Sequence, residues 1–252
     1  MSWLGALAIG MSLGLLGSGG SILTVPVLVY LVGEPEKIAI AESLAIVGLI
    51  AGAAALPRSF RGLVHWRTVL LFGLPGMVGS YLGAAAAQYV SASLQLSLFG
   101  IMMLVAAFLM ARPPKLEKAG EGKRRAIWKT GLDGLLVGVV TGLVGVGGGF
   151  LIVPALVLLG GLPMHLAVGT SLAVIALKSL SGFIKYQNVL SNLDLSIDWS
   201  LIAVMSLVGF GGTLIGGAMA NRLPRERLQQ VFAAFLVIMA AFILWQYVPE
   251  AF

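Results

Sequence analysis

Apolar residues run along this chain in blocks of about twenty, and polar residues collect in the short intervals between the blocks. Blocks of that length suit helices crossing a bilayer core of about 30 Å. Lipid offers the backbone no hydrogen-bond partner, which leaves helices or closed barrels as the spanning structures. Because the runs are continuous, a barrel, whose strands alternate outward and inward residues, is excluded. Six ordinary spans are predicted, over residues 38–57, 69–90, 94–111, 166–185, 199–220 and 228–248.

Two further apolar segments, 2–32 and 130–159, are too interrupted to be single spans. The first would be about 46 Å long as one helix, and Gly17-Ser18-Gly19-Gly20 followed by Pro26 breaks it. Gly145-Val146-Gly147-Gly148-Gly149 and Pro154 break the second in the same way. Each segment therefore predicts two half-helices. Sliding the sequence by 128 residues aligns 14–45 with 142–173 at 17 of 32 identities, including Gly17/Gly145, Gly20/Gly148, Pro26/Pro154, Pro35/Pro163 and Ser43/Ser171. Past an insertion of five residues near Asn188 to Asp194, the offset becomes 133 and pairs Trp66/Trp199, Gly76/Gly209, Gly79/Gly212, Gly83/Gly216 and Phe99/Phe232. The chain is an internal duplication. Its Gly79/Gly83 and Gly212/Gly216 pairs have the spacing that lets helices approach closely in lipid.

Composition agrees: of 252 residues 59% are hydrophobic and 10% charged, against about 25% charged in soluble domains. The net charge of +6 does not point to nucleic acid, since seven Lys and Arg sit in one connecting segment, Arg112 to Lys129. The predicted organisation is a first membrane repeat, 1–111, a basic cytoplasmic linker, 112–129, and a second membrane repeat, 130–252. If each broken segment enters and leaves on one side, thirteen Lys and Arg share a face and only Lys37 and Lys185 lie opposite. Full crossing by both segments gives eleven against four, so the positive-inside rule favours the first arrangement. Three crossings per half, an odd number, make the repeats inverted. No Lys or Arg precedes Lys37, which predicts retention of the N-terminus because a signal peptide needs a basic start. The absence of cysteine excludes disulfides and thiolate chemistry. His65 and His165 flank helix ends and are expected to be interfacial.

Broken helices at matching places in two repeats mark a transporter's binding site. Unwound amides and half-helix N-termini there present positive dipole ends, which suits an anion. The expected substrate-binding set is Gly17, Ser18, Gly19, Gly20, Ser21, Ser43, Gly145, Gly147, Gly148, Gly149, Thr170, Ser171 and Lys178. Hydroxyls of Ser21, Thr24, Ser43, Thr170, Ser171, Ser179 and Ser181 are available to an oxyanion, and Ser43 with Thr170-Ser171 rank first because they occupy equivalent positions. Glu42, where the second half has Thr170, is expected to couple protons. Lys178 lies two turns beyond Thr170, and placing both in the outer half lets Glu42 and Lys178 pair. The expected partners are a small anion, protons and lipid, with no cofactor, no metal and no nucleic acid; an oligomer is compatible. The glycine stretches lack the Lys-Ser/Thr ending of a phosphate loop. An intramembrane Ser/His protease is disfavoured because Leu16 stands where a nucleophile motif needs glycine and neither histidine is mid-span.

These residues resemble the TauE/SafE family of sulfite-exporter-like membrane transporters. The resemblance rests on the duplicated Gly-x-Gly-Gly to Pro, on Ala167 to Leu172, on Val-His-Trp and Ile-Asp-Trp before the third span of each half, and on the Gly-x-x-x-Gly that follows. It covers nearly the whole chain. It implies export of small sulfur-containing or organic anions such as sulfite, thiosulfate or sulfonates, coupled to protons, across the cytoplasmic membrane. A passive anion channel or permease, with Lys178 as attractor, is the alternative. Ala41-Glu42-Ser43 against Gly169-Thr170-Ser171 departs from a symmetric neutral site.

The inverted arrangement puts Lys115 and Arg225 on the cytoplasmic face and Glu36 and Asn192 outside. Single cysteines introduced at these four positions should react with an impermeant maleimide in intact cells only at Glu36 and Asn192. Labelling at Arg225 without labelling at Glu36 would instead require full crossing by the broken segments.

Overall fold

A computed structural model of the chain describes residues 2–16, 20–111, 127–159, 161–219 and 225–251. Among the described residues the elements are helical, with no strand. The first half comprises α1 (Ser2–Leu16), α2 (Gly20–Pro26, continued by a π-helical turn Val27–Val32), α3 (Glu36–Phe60), α4 (Trp66–Tyr89) and α5 (Ala92–Ala111). The second comprises α6 (Ile127–Val144), α7 (Gly149–Pro154, continued by Ala155–Leu159), α8 (Met164–Ser191), α9 (Trp199–Met219) and α10 (Arg225–Ala251). Four of these, α3, α4, α8 and α9, are long and apolar enough to cross a membrane.

Proline sets the local geometry at each break. It lacks the amide that would bond the carbonyl four residues back, and its ring crowds that carbonyl. Widened π-turns accompany proline along these helices. The π-turns follow Pro26 and Pro154 directly, and another, Val69–Gly73, precedes Pro75 in α4. Each broken segment then ends on a left-handed glycine, Gly33 (φ 89°) or Gly161 (φ 65°). Their amides return to Leu28 at 3.0 Å and Val157 at 3.2 Å, closing the loose helix ends. Pro35 and Pro163 follow at the N-caps of α3 and α8 with the same backbone angles within one degree.

At 15 residues, α1 reaches only about 22 Å, short of the bilayer core. After the break α2 returns along it, with Gly20 against Ile9 and Leu13, and Gly5 against Val27 and Leu31. The second half turns back in the same manner, Gly148 lying against Thr141 of α6. Residues 17–19 and most of the basic linker lie outside the described residues.

The halves are joined by exchange. α1 packs chiefly on α9, α6 on α4, α3 on α8 and α5 on α10. In the α1–α9 seam a methyl group on Gly10 would overlap the Gly209 carbonyl, and one on Gly14 the Thr213 carbonyl. In the α6–α4 seam Gly138 stands in the same relation to Gly76, and Gly142 to Ser80. Offsets of 128 and 133 relate these contacts pair by pair. The Gly79/Gly83 and Gly212/Gly216 spacings do lie in helix contacts, against Leu135 and Val139 and against Leu7 and Met11. Lys37 adds a polar anchor: its ammonium donates to the carbonyls of Ala87 and Val90, at 2.7 and 2.6 Å, and to Gln95 Oε1 at 2.5 Å. A cation at the C-terminal end of α4 also complements that helix's dipole.

Gly138→Ala and Gly142→Ala should each destabilise the protein by about 1–3 kcal/mol through overpacking. Gly211→Ala, where no atom lies within 4 Å of the added carbon, should be neutral or stabilising by up to about 1 kcal/mol. Thermal unfolding in detergent measures all three, and equal behaviour of the three variants would show that the seam is not close-packed.

Candidate functional site

The site is built on the crossing of α3 and α8. Leu44 meets Gly182, Gly48 meets Ser179 and Gly52 meets Ala176, so the two helices run antiparallel. On this crossing rests the second glycine break. A methyl group on Gly147 would lie 2.6 Å from Val47 Cγ1, 3.0 Å from Ile175 Cγ2 and 3.1 Å from the Ser179 hydroxyl. Val47 and Ile175 are equivalent residues of the two halves. The half-helices α2 and α7 touch beside them.

A break inside lipid exposes carbonyls and amides that water cannot satisfy, and here some of each are bonded by the protein. Gly145 and Gly148 adopt left-handed angles, φ 74° and 70°, which glycine alone tolerates easily. The Thr141 carbonyl accepts the Val146 amide at 3.0 Å, and the Gly148 carbonyl accepts those of Leu151 and Ile152 at 3.0 Å. Leu143 is bonded by Gln95 Nε2 at 2.6 Å and by the Tyr186 hydroxyl at 3.0 Å. The Ser43 hydroxyl donates to the Gly145 carbonyl at 2.5 Å. The amides of Gly147, Gly148 and Gly149, all buried, find no acceptor among the described residues. The carbonyls of Leu143, Gly145 and Gly148 are tied back, while those of Val144, Val146 and Gly147, like the three amides, find no partner among the described residues.

The sequence-predicted hydroxyls divide accordingly. Ser43 commits its proton to carbonyls, sharing it between Gly145 and its own helix at Ile40. Thr24 and Ser171 also bond within their helices, to Gly20 at 3.1 Å and Val168 at 2.8 Å. Ser21 is buried and partnered. Ser181 crosses to Met77 at 2.8 Å. Ser179, fully buried, has no partner among the described residues. Gly20 lies in α2, whereas Gly17, Ser18 and Gly19 fall outside the described residues.

Glu42 and Lys178 are both buried and are not brought together. Glu42 Oε1 accepts the amide of Asp198 at 2.9 Å, and Oε2 is unpartnered among the described residues. The Lys178 ammonium, in a residue 1% exposed, has no hydrogen bond there either. The antiparallel crossing explains the failed pairing: Lys178 lies at the level of Ile50, two turns and about 12 Å along α3 from Glu42. Burial also rules out the snorkelling that a long cation near a helix end allows. Its stem packs on Gly76, with Cδ 3.0 Å from the place of a Cβ, just as Ile50, its equivalent, packs on Gly209.

The Glu42 contact has a counterpart. Thr170, at the equivalent position, accepts the amide of His65 at 2.9 Å, and His65 is the equivalent of Asp198. Both donors are also caps: His65 Nδ1 takes the Thr68 amide at 3.3 Å, and Asp198 Oδ1 takes Ser200 and Leu201 amides at 2.8 and 3.1 Å. His65 is thus a capping residue at a helix start. Sequence reasoning missed Gln95, Tyr186 and the partners of Lys37; a Gln within an otherwise apolar span was the available signal. Among the described residues no three His, Asp or Glu gather to hold a metal. An open groove lined by Leu44, Leu49, Leu180, Phe183 and Trp199 is almost wholly apolar.

Residues 2–243 match the family described as Sulfite exporter TauE/SafE. A probable membrane transporter protein of Xylella fastidiosa is 33% identical over 244 residues, covering 94% of this chain and 92% of its own length. Another from Methanocaldococcus jannaschii is 26% identical over 252 residues, covering 94% and 93%. A third, from Bacillus subtilis, is 24% identical over 257 residues, covering 92% of both. No solved structure gives a significant match.

The Ser200 hydroxyl first, and then the Leu201 amide, hold the Asp198 carboxyl below the ordinary carboxylate range. With the folded-state value below the unfolded one, the ionised cap stabilises the fold above about pH 4 and is lost as pH falls through the folded value. Asp198→Asn keeps a cap at every pH. The melting-temperature difference between the two proteins should therefore shrink between about pH 5 and pH 3, and a constant difference would mean the carboxylate adds nothing to the cap.

Proposed function

The chain belongs to the sulfite exporter TauE/SafE family and is a membrane transporter; from that premise we propose that it exports a small anion of the sulfite, thiosulfate or sulfonate class. Transport is by proton-coupled alternating access across the cytoplasmic membrane, between two inverted halves. The carrying observation is the second glycine break, where side chains take up the carbonyls of Leu143 and Gly145 and the amides of Gly147, Gly148 and Gly149 have no acceptor among the described residues. Three consecutive unpartnered amides, shielded from water, favour an anion, because each dipole acts at low local dielectric. The antiparallel course of α3 and α8 supports the inversion.

Lys178 supplies the compensating charge in this reading. The first half packs Ile50 in the same place, so the fold requires an aliphatic stem and the ammonium is additional. Ionisable groups within spans carry a cost that function must justify. Glu42 follows the same logic: Thr170 performs the same amide-accepting role without a charge, which leaves the carboxyl as the proton carrier. The basic loops, Arg112 to Lys129 included, face the cytoplasm.

Purified protein should gain stability with sulfite, thiosulfate or a sulfonate, by about 2.7 kcal/mol at a hundredfold excess over the dissociation constant, and none with sugars or metal cations. In proteoliposomes Lys178→Met should cut transport at least about tenfold with folding intact, and Glu42→Gln should abolish the dependence on a pH gradient while leaving affinity near normal. Stabilisation by a cation and by no anion would remove the reading. Flux that ignores the pH gradient in the native protein would mean a passive permease.

A further inference from the structure

We propose that Ser179 is the specificity-determining hydroxyl of this site, donating its proton to an oxygen of the bound oxyanion. The inference rests on the anion reading above and narrows it to ligands with several oxygens on one centre. Three observations carry it. The Ser179 side chain is 0% exposed and its hydroxyl meets no acceptor among the described residues, a situation that costs stability unless something completes the bond. It is aimed at the break, its oxygen 3.1 Å from where a Cβ on Gly147 would stand, at the start of the run of amides that lack acceptors among the described residues. The equivalent residue of the first half is Ala51, also 0% exposed, so packing at this place needs a methyl group and nothing more.

The hydroxyls around it contrast. Ser43, Ser80, Ser181 and Thr141 all donate to backbone carbonyls and have no proton left for a ligand. Ser12 and Ser206 also lack partners among the described residues, but neither is among the atoms nearest Gly145, Gly147 or Gly148, where Ser179 and Thr141 supply the hydroxyls. Backbone amides are fixed in direction. A serine hydroxyl rotates about its C–O bond and adds one directed donor, so an anion with three oxygens on one centre, as in sulfite or a sulfonate, can take the amides and the hydroxyl together. A spherical halide gains less from that added direction. The side of the site nearer the second repeat therefore contributes the selectivity, since Ala51 has nothing to donate.

The test is calorimetric titration of the purified full-length protein with sulfite, methanesulfonate and chloride. Ser179→Ala should melt like the native protein, lose about ten- to a hundredfold in affinity for sulfite and methanesulfonate, and change less than about threefold for chloride. Ser179→Cys, a weaker donor, should fall between. Because the chain has no other cysteine, alkylation of the introduced thiol gives a second readout, and methanesulfonate should slow it. Unchanged sulfite affinity in Ser179→Ala, or no protection of the thiol, overturns the role of Ser179 and leaves the anion reading standing. Failure of the native protein to bind any of the three anions overturns both.

Discussion

A backbone that stops being helical inside a bilayer has to bond its own loose groups, because lipid will not. The rest of this structure depends on how that demand is met at the second glycine break. Ser43 reaches across from α3, Gln95 from α5 and Tyr186 from α8, and together they hold the carbonyls of Leu143 and Gly145. Gln95 is held in turn, its amide 2.8 Å from the Tyr186 oxygen and its carbonyl bonded by Lys37. Three helices outside the break thus cooperate to fix where its amides point. Preorganised dipoles of this kind need no rearrangement when a charge arrives, and the cost of holding them is met when the protein folds.

Duplication supplies a comparison that a single-copy protein lacks. Where both halves keep a feature, the fold asks for it: the left-handed Gly33 and Gly161, the prolines that open π-turns, the glycine seams. Where only one half keeps it, packing is satisfied either way. Glu42 against Thr170, Lys178 against Ile50 and Ser179 against Ala51 are such places, and all three lie on α3 or α8. Two of the three additions fall on the second half. The molecule has two similar frames and one asymmetric set of chemical groups.

Much of this frame was legible in the sequence, because spans and breaks are local and leave local signatures. The closely packed glycines were only half legible. Gly79/Gly83 and Gly212/Gly216 announce themselves by spacing, yet their partners Gly10/Gly14 and Gly138/Gly142 have the same spacing inside the broken segments, where the breaks dominated the pattern. The expected Glu42–Lys178 pair failed for a different reason. Depth along two helices can be estimated from their ends, but which levels meet depends on where they cross, and that is set by Gly48 and Ser179 together. The amide of Asp198 that Glu42 accepts is 156 residues away, a separation over which no periodicity reports. Ranking hydroxyls by equivalence favoured Ser43, whose proton the structure commits to the break.

The exchange of helices between the halves also orders the protein's birth. α6 finds its seam on α4, already made, as soon as it leaves the ribosome, Gly138 and Gly76 being separated by 62 residues. α1 has no such partner. Its glycine face waits for α9, Gly10 and Gly209 being separated by 199 residues, so a segment made well before α9 is among the last to be clasped. Until then the N-terminal hairpin has only its own short half-helices and the neighbouring α3 to hold it. Neither half carries its complete set of seams alone, and a ribosome paused before α9 would leave one waiting open in the membrane.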